Sequence, residues 1–402
     1  MTQKGRVLKS KPKLLWIGDA VAHTGFATVC HNVLEHLQHQ YDVSVLGINY
    51  YGDPHKYSYP IYPAPMGGDV FGINRVPSLL AQIKPHITCI VNDPWLVRNY
   101  IAPLRTSMGK LDNKDIFTNI VAYMPIDGKN IQRAFIEPLN QIDHAIFYTQ
   151  FGLDEAKNAG LQLDKTSIIP HGVDLTDFPR MNKKTARAKL PVLKDDWFVV
   201  GCVNRNQPRK RLDLALEYFA DFAKDKPDTV KFYYHGALQD VGWDILQLAD
   251  YYGIGSRMII TDPNMTTAVG VPYDFLRYIY NSFDIQVSTT LGEGWGLTQM
   301  EGMACGIPQI IPEWSALAEW AHDGALFVEC TTRQANSGGL NTIGGIADKD
   351  QFIAAMNKMY YDTNERQRIG QAGYDLVHQP QFLWKNVADQ FDTVFKKVML
   401  QQ

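Results

Sequence analysis

From Lys13 onward the chain alternates short apolar runs with longer amphipathic stretches, the form that repeated βα units take around a mostly parallel sheet. KLLWIG (Lys13 to Gly18) predicts a first strand. Phe26, Val29, Val33, Leu34 and Leu37 then follow at helical spacing after Gly25. DVSVLGI, HITCIV, FTNIVAY and HAIFY predict further strands, and most are nearly continuous apolar runs, as strands covered on both faces require. A second series starts after the Pro- and Lys-containing stretch from Pro179 to Lys194. It has FVVGCV, KFYYH, MIIT, DIQVS and PQIIP as strands, with helices over Leu212 to Phe222, Trp243 to Tyr251, Tyr273 to Asn281 and Leu297 to Ala304. The pattern predicts two similar α/β halves, 1–180 and 181–380, followed by a last helical segment, 381–402. From Lys349 onward it gives two or three helices with no strand between them. Ser337-Gly338-Gly339 and Gly344-Gly345 together predict one mobile loop.

At 402 residues and 45% hydrophobic content the chain can fill two or three real cores, which excludes disorder as the main state. Thirty-nine Lys and Arg against 42 Asp and Glu give a net charge of −3, so the chain as a whole is not built to coat nucleic acid or anionic membranes, a local basic patch apart. Five cysteines stand singly, without a C-x-x-C pair. This argues against a disulfide framework and a cysteine zinc site, and fits a reducing compartment. No run of about 18 apolar residues occurs, and MTQKGRVLKSKPK at the start has no apolar signal region. The expectation is a soluble cytoplasmic protein.

The strongest local signal is Leu291 to Pro308, LGEGWGLTQMEGMACGIP, where strand DIQVS runs into Gly292, Gly294 and Gly296 and then directly into a helix. Glycines let a ligand approach the backbone, and a helix start offers free N–H groups with partial positive charge, which suits a phosphate or diphosphate. Glu293 and Glu301 bracket this loop and more naturally accept hydrogen bonds from sugar hydroxyls than face an anion. The plainer alternative is a Gly-rich turn whose helix carboxylate serves the dipole. Asn204 to Arg211, NRNQPRKR, follows strand FVVGCV and places four cations where open α/β sheets bind ligands; it is a diphosphate site or a solvated basic turn. The first βα turn, Gly18 to Phe26, lacks the G-x-G-x-x-G spacing, although Gly25 at the helix start could admit a phosphate. His31, Glu35 and His39 recur on one helix, but the outer two lie about 12 Å apart along its axis and cannot close on one ion. Asp348-Lys349-Asp350 precedes a helix and is read as an N-cap rather than a metal motif.

These residues add up to a resemblance. Glu293-Gly294-Trp295-Gly296-Leu297 through Glu301-Gly302-Met303-Ala304-Cys305-Gly306-Ile307-Pro308 closely resembles the signature of retaining GT-B-fold glycosyltransferases, the glycogen-synthase-like family four, including seven residues between the two glutamates. Arg205 and Lys210 stand five apart, like the family's G-R-L-x-x-x-K pair, and Ile169 to Asp174 looks like its I-P-N-G-V-D. The resemblance implies two facing Rossmann-like domains with a nucleotide-sugar in the cleft and C-terminal helices crossing back to the first domain. It implies that Arg205 and Lys210 hold the donor diphosphate, Glu301 the ribose hydroxyls and Glu293 the donor sugar. The N–H groups of Trp295, Gly296 and Leu297 would face sugar and phosphate, Gly294 would belong to the same loop, and Gly25 would admit the diphosphate to the first domain. No metal and no cofactor beyond the nucleotide-sugar are implied, since cations and helix dipole take the metal's place. Asp127, in Met124-Pro125-Ile126-Asp127-Gly128, stands where the family often has a His-Asp pair, and the His is missing; Asn204, Asn206, His171 and Trp295 also depart from the pattern.

The acceptor is the most open point. Tyr50-Tyr51, Tyr57 to Pro63, Trp95 and Tyr123 could stack on sugar rings or on unstacked bases, or simply pack a long loop. Lys4, Arg6, Lys9, Lys11, Lys13, Arg98, Arg105, Lys129 and Arg133 could follow a phosphate backbone. A glycan or small-molecule hydroxyl is the first reading of the acceptor, and a hydroxylated base of viral DNA the second. A non-catalytic nucleotide-sugar-binding protein is the alternative of another class.

Overall fold

The structure, a computed structural model, describes residues 10–111, 114–266 and 270–400. Lys4, Arg6 and Lys9 therefore lie outside the described residues. In the first half, strands β1 (Lys13–Asp19), β2 (Asp42–Ile48), β3 (Ile61–Pro63) and β4 (Ile87–Val91) precede a small antiparallel hairpin, β5 (Gly109–Leu111) and β6 (Lys114–Ile116). Strands β7 (Asn119–Met124), β8 (His144–Phe147) and β9 (Thr166–Ile168) complete a parallel sheet of order β3-β2-β1-β4-β7-β8-β9. Helices α1 (Gly25–Leu37), α2 (Val76–Ile83), α3 (Pro94–Thr106), α4 (Arg133–Ile136) and α5 (Gln150–Asn158) connect its strands.

The second half repeats the plan. Strands β10 (Phe198–Val203), β11 (Val230–His235), β12 (Met258–Ile260), β13 (Ile285–Val287), β14 (Gln309–Pro312) and β15 (Ala325–Val328) form a parallel sheet of order β12-β11-β10-β13-β14-β15. Its helices are α6 (Lys183–Arg187), α7 (Leu212–Ala223), α8 (Ile245–Tyr251), α9 (Tyr273–Asn281), α10 (Leu297–Ala304) and α11 (Ser315–Trp320). A hairpin of β16 (Cys330–Ala335) and β17 (Ile343–Ala347) follows, then α12 (Lys349–Tyr361), α13 (Thr363–Val377) and α14 (Trp384–Met399).

All ten predicted strands are present. The helix expected from Trp243 starts two residues later because Asn206 exchanges hydrogen bonds with the Trp243 backbone, and Asp244 caps Leu246 and Gln247 instead. Gly344 and Gly345 belong to β17 and not to the predicted loop. A Cβ on Gly344 would lie 2.5 Å from that of Leu291, so the glycine lets the strand lie against the loop after β13. Asp348 caps α12 by accepting from Gln351 N–H, as its position predicts.

Two facing Rossmann-like domains result, and of the three C-terminal helices only α14 returns to the first. There Phe391 packs on Trp16 and Tyr123, with centroids 5.7 and 4.9 Å apart, and Asp392 accepts from Tyr41 Oη at 2.9 Å. Helices α12 and α13 stay with the second domain, where Lys349 at the start of α12 pairs with Glu217 of α7. The two strands of chain that cross between domains run side by side, Val173 N–H donating to the Phe382 carbonyl. Among the described residues no helix is long and apolar enough to cross a membrane.

Candidate active site

In each sheet the strand order reverses once near its middle, beside β1 and beside β10. Open parallel sheets bind ligands at the carboxyl ends of such strands. The two reversal points face one another, and glycines bring the backbones close. A Cβ on Gly292 would meet the Asp127 carbonyl at 1.9 Å, one on Gly294 would meet Pro125 at 2.4 Å, and one on Gly25 would meet Leu297 at 3.3 Å. Gly292 and Gly294 thus serve the contact between domains as well as the loop they sit in.

The charge centre lies at this junction. Glu293, 5% exposed, pairs with Lys210 at 2.5 Å and with Arg209 at 3.0 Å. Arg209 also pairs with Asp127 across the cleft at 3.1 Å and donates to the Gly292 carbonyl. Burial alone pushes the Glu293 carboxyl up, but Lys210 and Arg209 outweigh it and hold it down at about 2. Burial likewise lowers Lys210, while Glu293 supports its charge.

The loop carrying Glu293 is built to stay in place. Ser315 Oγ accepts from Glu293 N–H at 2.9 Å and donates to the Glu293 carbonyl at 3.0 Å, with Ser315 in the left-handed region at φ 52°. Trp320 Nε1 donates to the Trp295 carbonyl at 2.7 Å, and the two indoles stack with centroids 5.0 Å apart. Gly296 has φ 100° and ends the loop where α10 begins, which a side chain would strain. Within α10, Glu301 is buried and accepts from Tyr280 Oη at 2.6 Å; burial pushes its carboxyl up to about 7, with the Tyr280 hydrogen bond opposing.

Arg205 is placed differently from Lys210. It is half exposed and forms a bidentate pair with Asp240, on the loop after β11, instead of joining Glu293. Asn206, buried, fixes that loop through the Leu238 and Trp243 backbones, which is what this departure from the family pattern does here. Asp19 at the end of β1 faces the Arg205 charge; burial raises its carboxyl, opposed by hydrogen bonds from Thr24 and Asn49.

Sequence reasoning missed Asp93. It is the N-cap residue of α3, followed by Pro94, yet its carboxyl makes no cap hydrogen bond. Burial, and then the neighbouring Asp127 charge, push it up to about 7. Its position directly beyond the carboxyl end of HITCIV was the available signal. Arg209 was seen only as one of four cations, although it alone bridges Glu293 and Asp127.

The aromatic candidates resolve unevenly. Tyr123 is wholly buried, its Oη donating to the Ile169 carbonyl and meeting His171 Nδ1, so it is core rather than a stacking face. Tyr57 stacks on His31 at 3.6 Å, and Tyr59 Oη meets His31 Nδ1 at 2.8 Å, while Tyr50 is buried; Tyr51 is exposed. Trp95 packs edge-on to Phe71. These rings mostly fold the 49–60 loop onto α1. The described cations form no common track. Lys11 and Lys13 lie at the amino end of β1, on the Gln38 and Ile83 carbonyls. Arg98 covers Phe135, Arg105 pairs with Asp143, Lys129 covers Trp314 and Arg133 pairs with Glu137.

Comparison with known proteins agrees with this architecture. Residues 197–362 match the family described as Glycosyl transferases group 1. A D-inositol 3-phosphate glycosyltransferase of Geodermatophilus obscurus is 30% identical over 182 residues, 42% of this chain and 39% of that protein. One of Stackebrandtia nassauensis is 25% identical over 233 residues, 56% of this chain and 47% of that protein. The match thus spans less than half the length of these curated relatives. Sucrose-phosphate synthase from Thermosynechococcus elongatus superposes with a TM-score of 0.74 at 17% identity, over 98% of this chain and 100% of that one. HepE of Anabaena in complex with UDP-glucose gives 0.72 at 15% identity, over 96% and 99%. The second domain of this chain is thus similar to the group 1 glycosyl transferases over residues 197–362, and the two domains together have the GT-B fold.

Proposed function

We propose that this chain transfers a sugar from a nucleotide diphosphate donor to a hydroxyl of a small-molecule or glycan acceptor, with the anomeric configuration retained and without a bound metal. The observation that carries the reading is the ionised Glu293 between Lys210 and Arg209, at the meeting point of two sheets' carboxyl ends, with Glu301 buried one helix turn beyond. The relatives support it: those matched in sequence are named as glycosyltransferases, and one structural neighbour was solved with UDP-glucose.

In this reading Lys210 and Arg205 hold the diphosphate, and Arg205 exchanges part of its contact with Asp240 for phosphate oxygens. The N-terminal amides of α10, from Trp295 to Leu297, add partial positive charge, and Gly25 leaves room on the first domain's side. Together they stabilise the leaving group as its charge grows, the work a metal would otherwise do. Glu301 accepts from the ribose hydroxyls and Glu293 from the donor sugar. Asp127 is tied to Arg209 and so is poorly placed as a nucleophile. Front-face attack through an oxocarbenium-like state, with the departing diphosphate taking the acceptor proton, fits this arrangement. Asp93, beside Asp127, receives the acceptor hydroxyl's hydrogen bond.

The test is incubation with a panel of UDP-, GDP- and ADP-sugars and sugar or sugar-phosphate acceptors, scored for released nucleotide and for product anomer, with and without a chelator. Lys210→Ala should lower kcat by about 100-fold or more. Absence of turnover, donor hydrolysis and nucleotide affinity would overturn the reading; an inverted product or chelator-sensitive turnover would overturn its mechanism.

A further inference from the structure

The candidate site is complete only when the two domains are apposed, since Asp127 and Asp93 come from the first and Glu293, Lys210 and Glu301 from the second. Outside the site, beside the return of α14 and the paired Lys129 and Ile343 backbones, one carboxylate joins the domains directly. The first turn of α5, in the first domain, has four N–H groups without helical partners, as every helix start does. Thr149 Oγ1 satisfies one, accepting from Gly152 N–H at 3.1 Å, while Leu153 N–H makes the first helical bond, to the Thr149 carbonyl at 3.2 Å. Two more belong to Glu319 of the second domain, whose Oε1 accepts from Gln150 N–H at 2.8 Å and whose Oε2 accepts from Phe151 N–H at 2.7 Å. A helix start in one domain is thus finished by a side chain of the other, with the negative charge at the positive end of the dipole.

Glu319 stands on α11, only six residues long, and the rest of α11 holds the sugar loop. Ser315 at its start clasps both backbone groups of Glu293, Ala316 N–H donates to the Glu293 carbonyl, and Trp320 at its end holds the Trp295 carbonyl. One short rigid element therefore carries the domain contact on one side and the backbone of Glu293 and Trp295 on the other.

We propose that Glu319 is a positioning residue that couples domain apposition to the placing of Glu293 and Trp295, through α11. The inference rests on the functional reading above for its kinetic consequence, and on the two hydrogen bonds alone for its structural one. Docking α5 against Glu319 fixes α11, and α11 fixes the loop that faces the donor sugar. The nucleotide is held mainly by the side chains of Lys210, Arg205 and Glu301, all within the second domain, so its affinity depends little on the latch.

The experiment uses both ends of the contact. Glu319→Ala removes the acceptor. Gln150→Pro removes one donor with the helix intact, because proline is accepted at the first helical position and Thr149 before it is already extended at φ −143° and ψ 160°. Each single variant should lower kcat, Glu319→Ala by about 10- to 100-fold, the range that hydrogen bonds to a charged group support. Nucleoside diphosphate affinity should stay within about twofold of wild type, and the double variant should be no slower than Glu319→Ala. By small-angle scattering without substrate, Glu319→Ala should be less compact than wild type, a readout that stands even if no donor is found. Unchanged turnover in Glu319→Ala, loss of nucleotide affinity in step with turnover, a double-variant loss equal to the product of the singles, or identical scattering would each overturn the proposal.

Discussion

Replacing Glu293 by Gln keeps the shape of the side chain and removes its charge, and the structure fixes what that should cost. The carboxyl is 5% exposed and held at about 2 against an ordinary 4.5, because two cations outweigh its burial. At about 1.4 kcal/mol per tenfold change in acidity, this difference amounts to about 3 kcal/mol of folding stability. The pKa is lower in the folded chain than in the unfolded one, so the contribution is fully present above about pH 4.5. It fades as pH falls toward 2. Glu293→Gln should therefore be about 3 kcal/mol less stable than wild type at pH 7 and at pH 5, and the gap should shrink to roughly half by pH 3. Urea unfolding of both proteins at the three pH values, followed by tryptophan fluorescence, measures it, since Trp295 and Trp320 sit on the same loop and helix. A gap under about 1 kcal/mol at pH 7, or one unchanged between pH 5 and pH 3, would refute the reasoning and mean that Lys210 and Arg209 find other partners.

Glu301, raised to about 7 by burial, accepts ribose hydroxyls more strongly when ionised, so nucleoside diphosphate affinity should rise between pH 6 and 8; in Glu301→Gln titration calorimetry should find it flat and about 10- to 100-fold weaker at pH 8. Asp93, also raised to about 7, should give kcat/KM for the acceptor a rise through that pH, and Asp93→Asn should remove the rise and lower the plateau about tenfold, read from initial rates against pH. Phe391→Ala opens the contact with Trp16 and Tyr123 and should cost about 3 to 5 kcal/mol, seen as earlier unfolding of the first domain by differential scanning calorimetry.

The parts of the site that the sequence made legible are those written in one local stretch. The run from Leu291 to Pro308 places strand, turn and helix in order, and its glutamates lie on the loop and the helix where spacing puts them. The basic run was legible as a class but not in its members. Arg205, Arg209, Lys210 and Arg211 sit around a 3₁₀ turn at Pro208–Lys210, where adjacent side chains diverge. Only tertiary contacts decide that Arg209 and Lys210 turn to Glu293, Arg205 to Asp240 and Arg211 to Asp213. Tyr123 was misplaced for a related reason: a strand buried on both faces carries aromatics that look like candidate ligand platforms, and periodicity cannot say which layer covers them. Glu319 left no trace because its partners, Gln150 and Phe151, are far away in sequence, and Asp93 left only its place just beyond a strand.

The return of α14 has a consequence for how the chain is made. Trp16 and Tyr123, on β1 and β7, meet Phe391 on a helix that starts about 215 residues after β9 ends. On the ribosome, at about 5 to 20 residues per second, the part of that face which α14 covers beside α1 stays open for roughly 10 to 40 s. An entire second domain can fold in the interval, so the first domain to be synthesised is the last to be finished, and a chain stopped before Trp384 leaves an apolar wall open to chaperones and to other nascent chains.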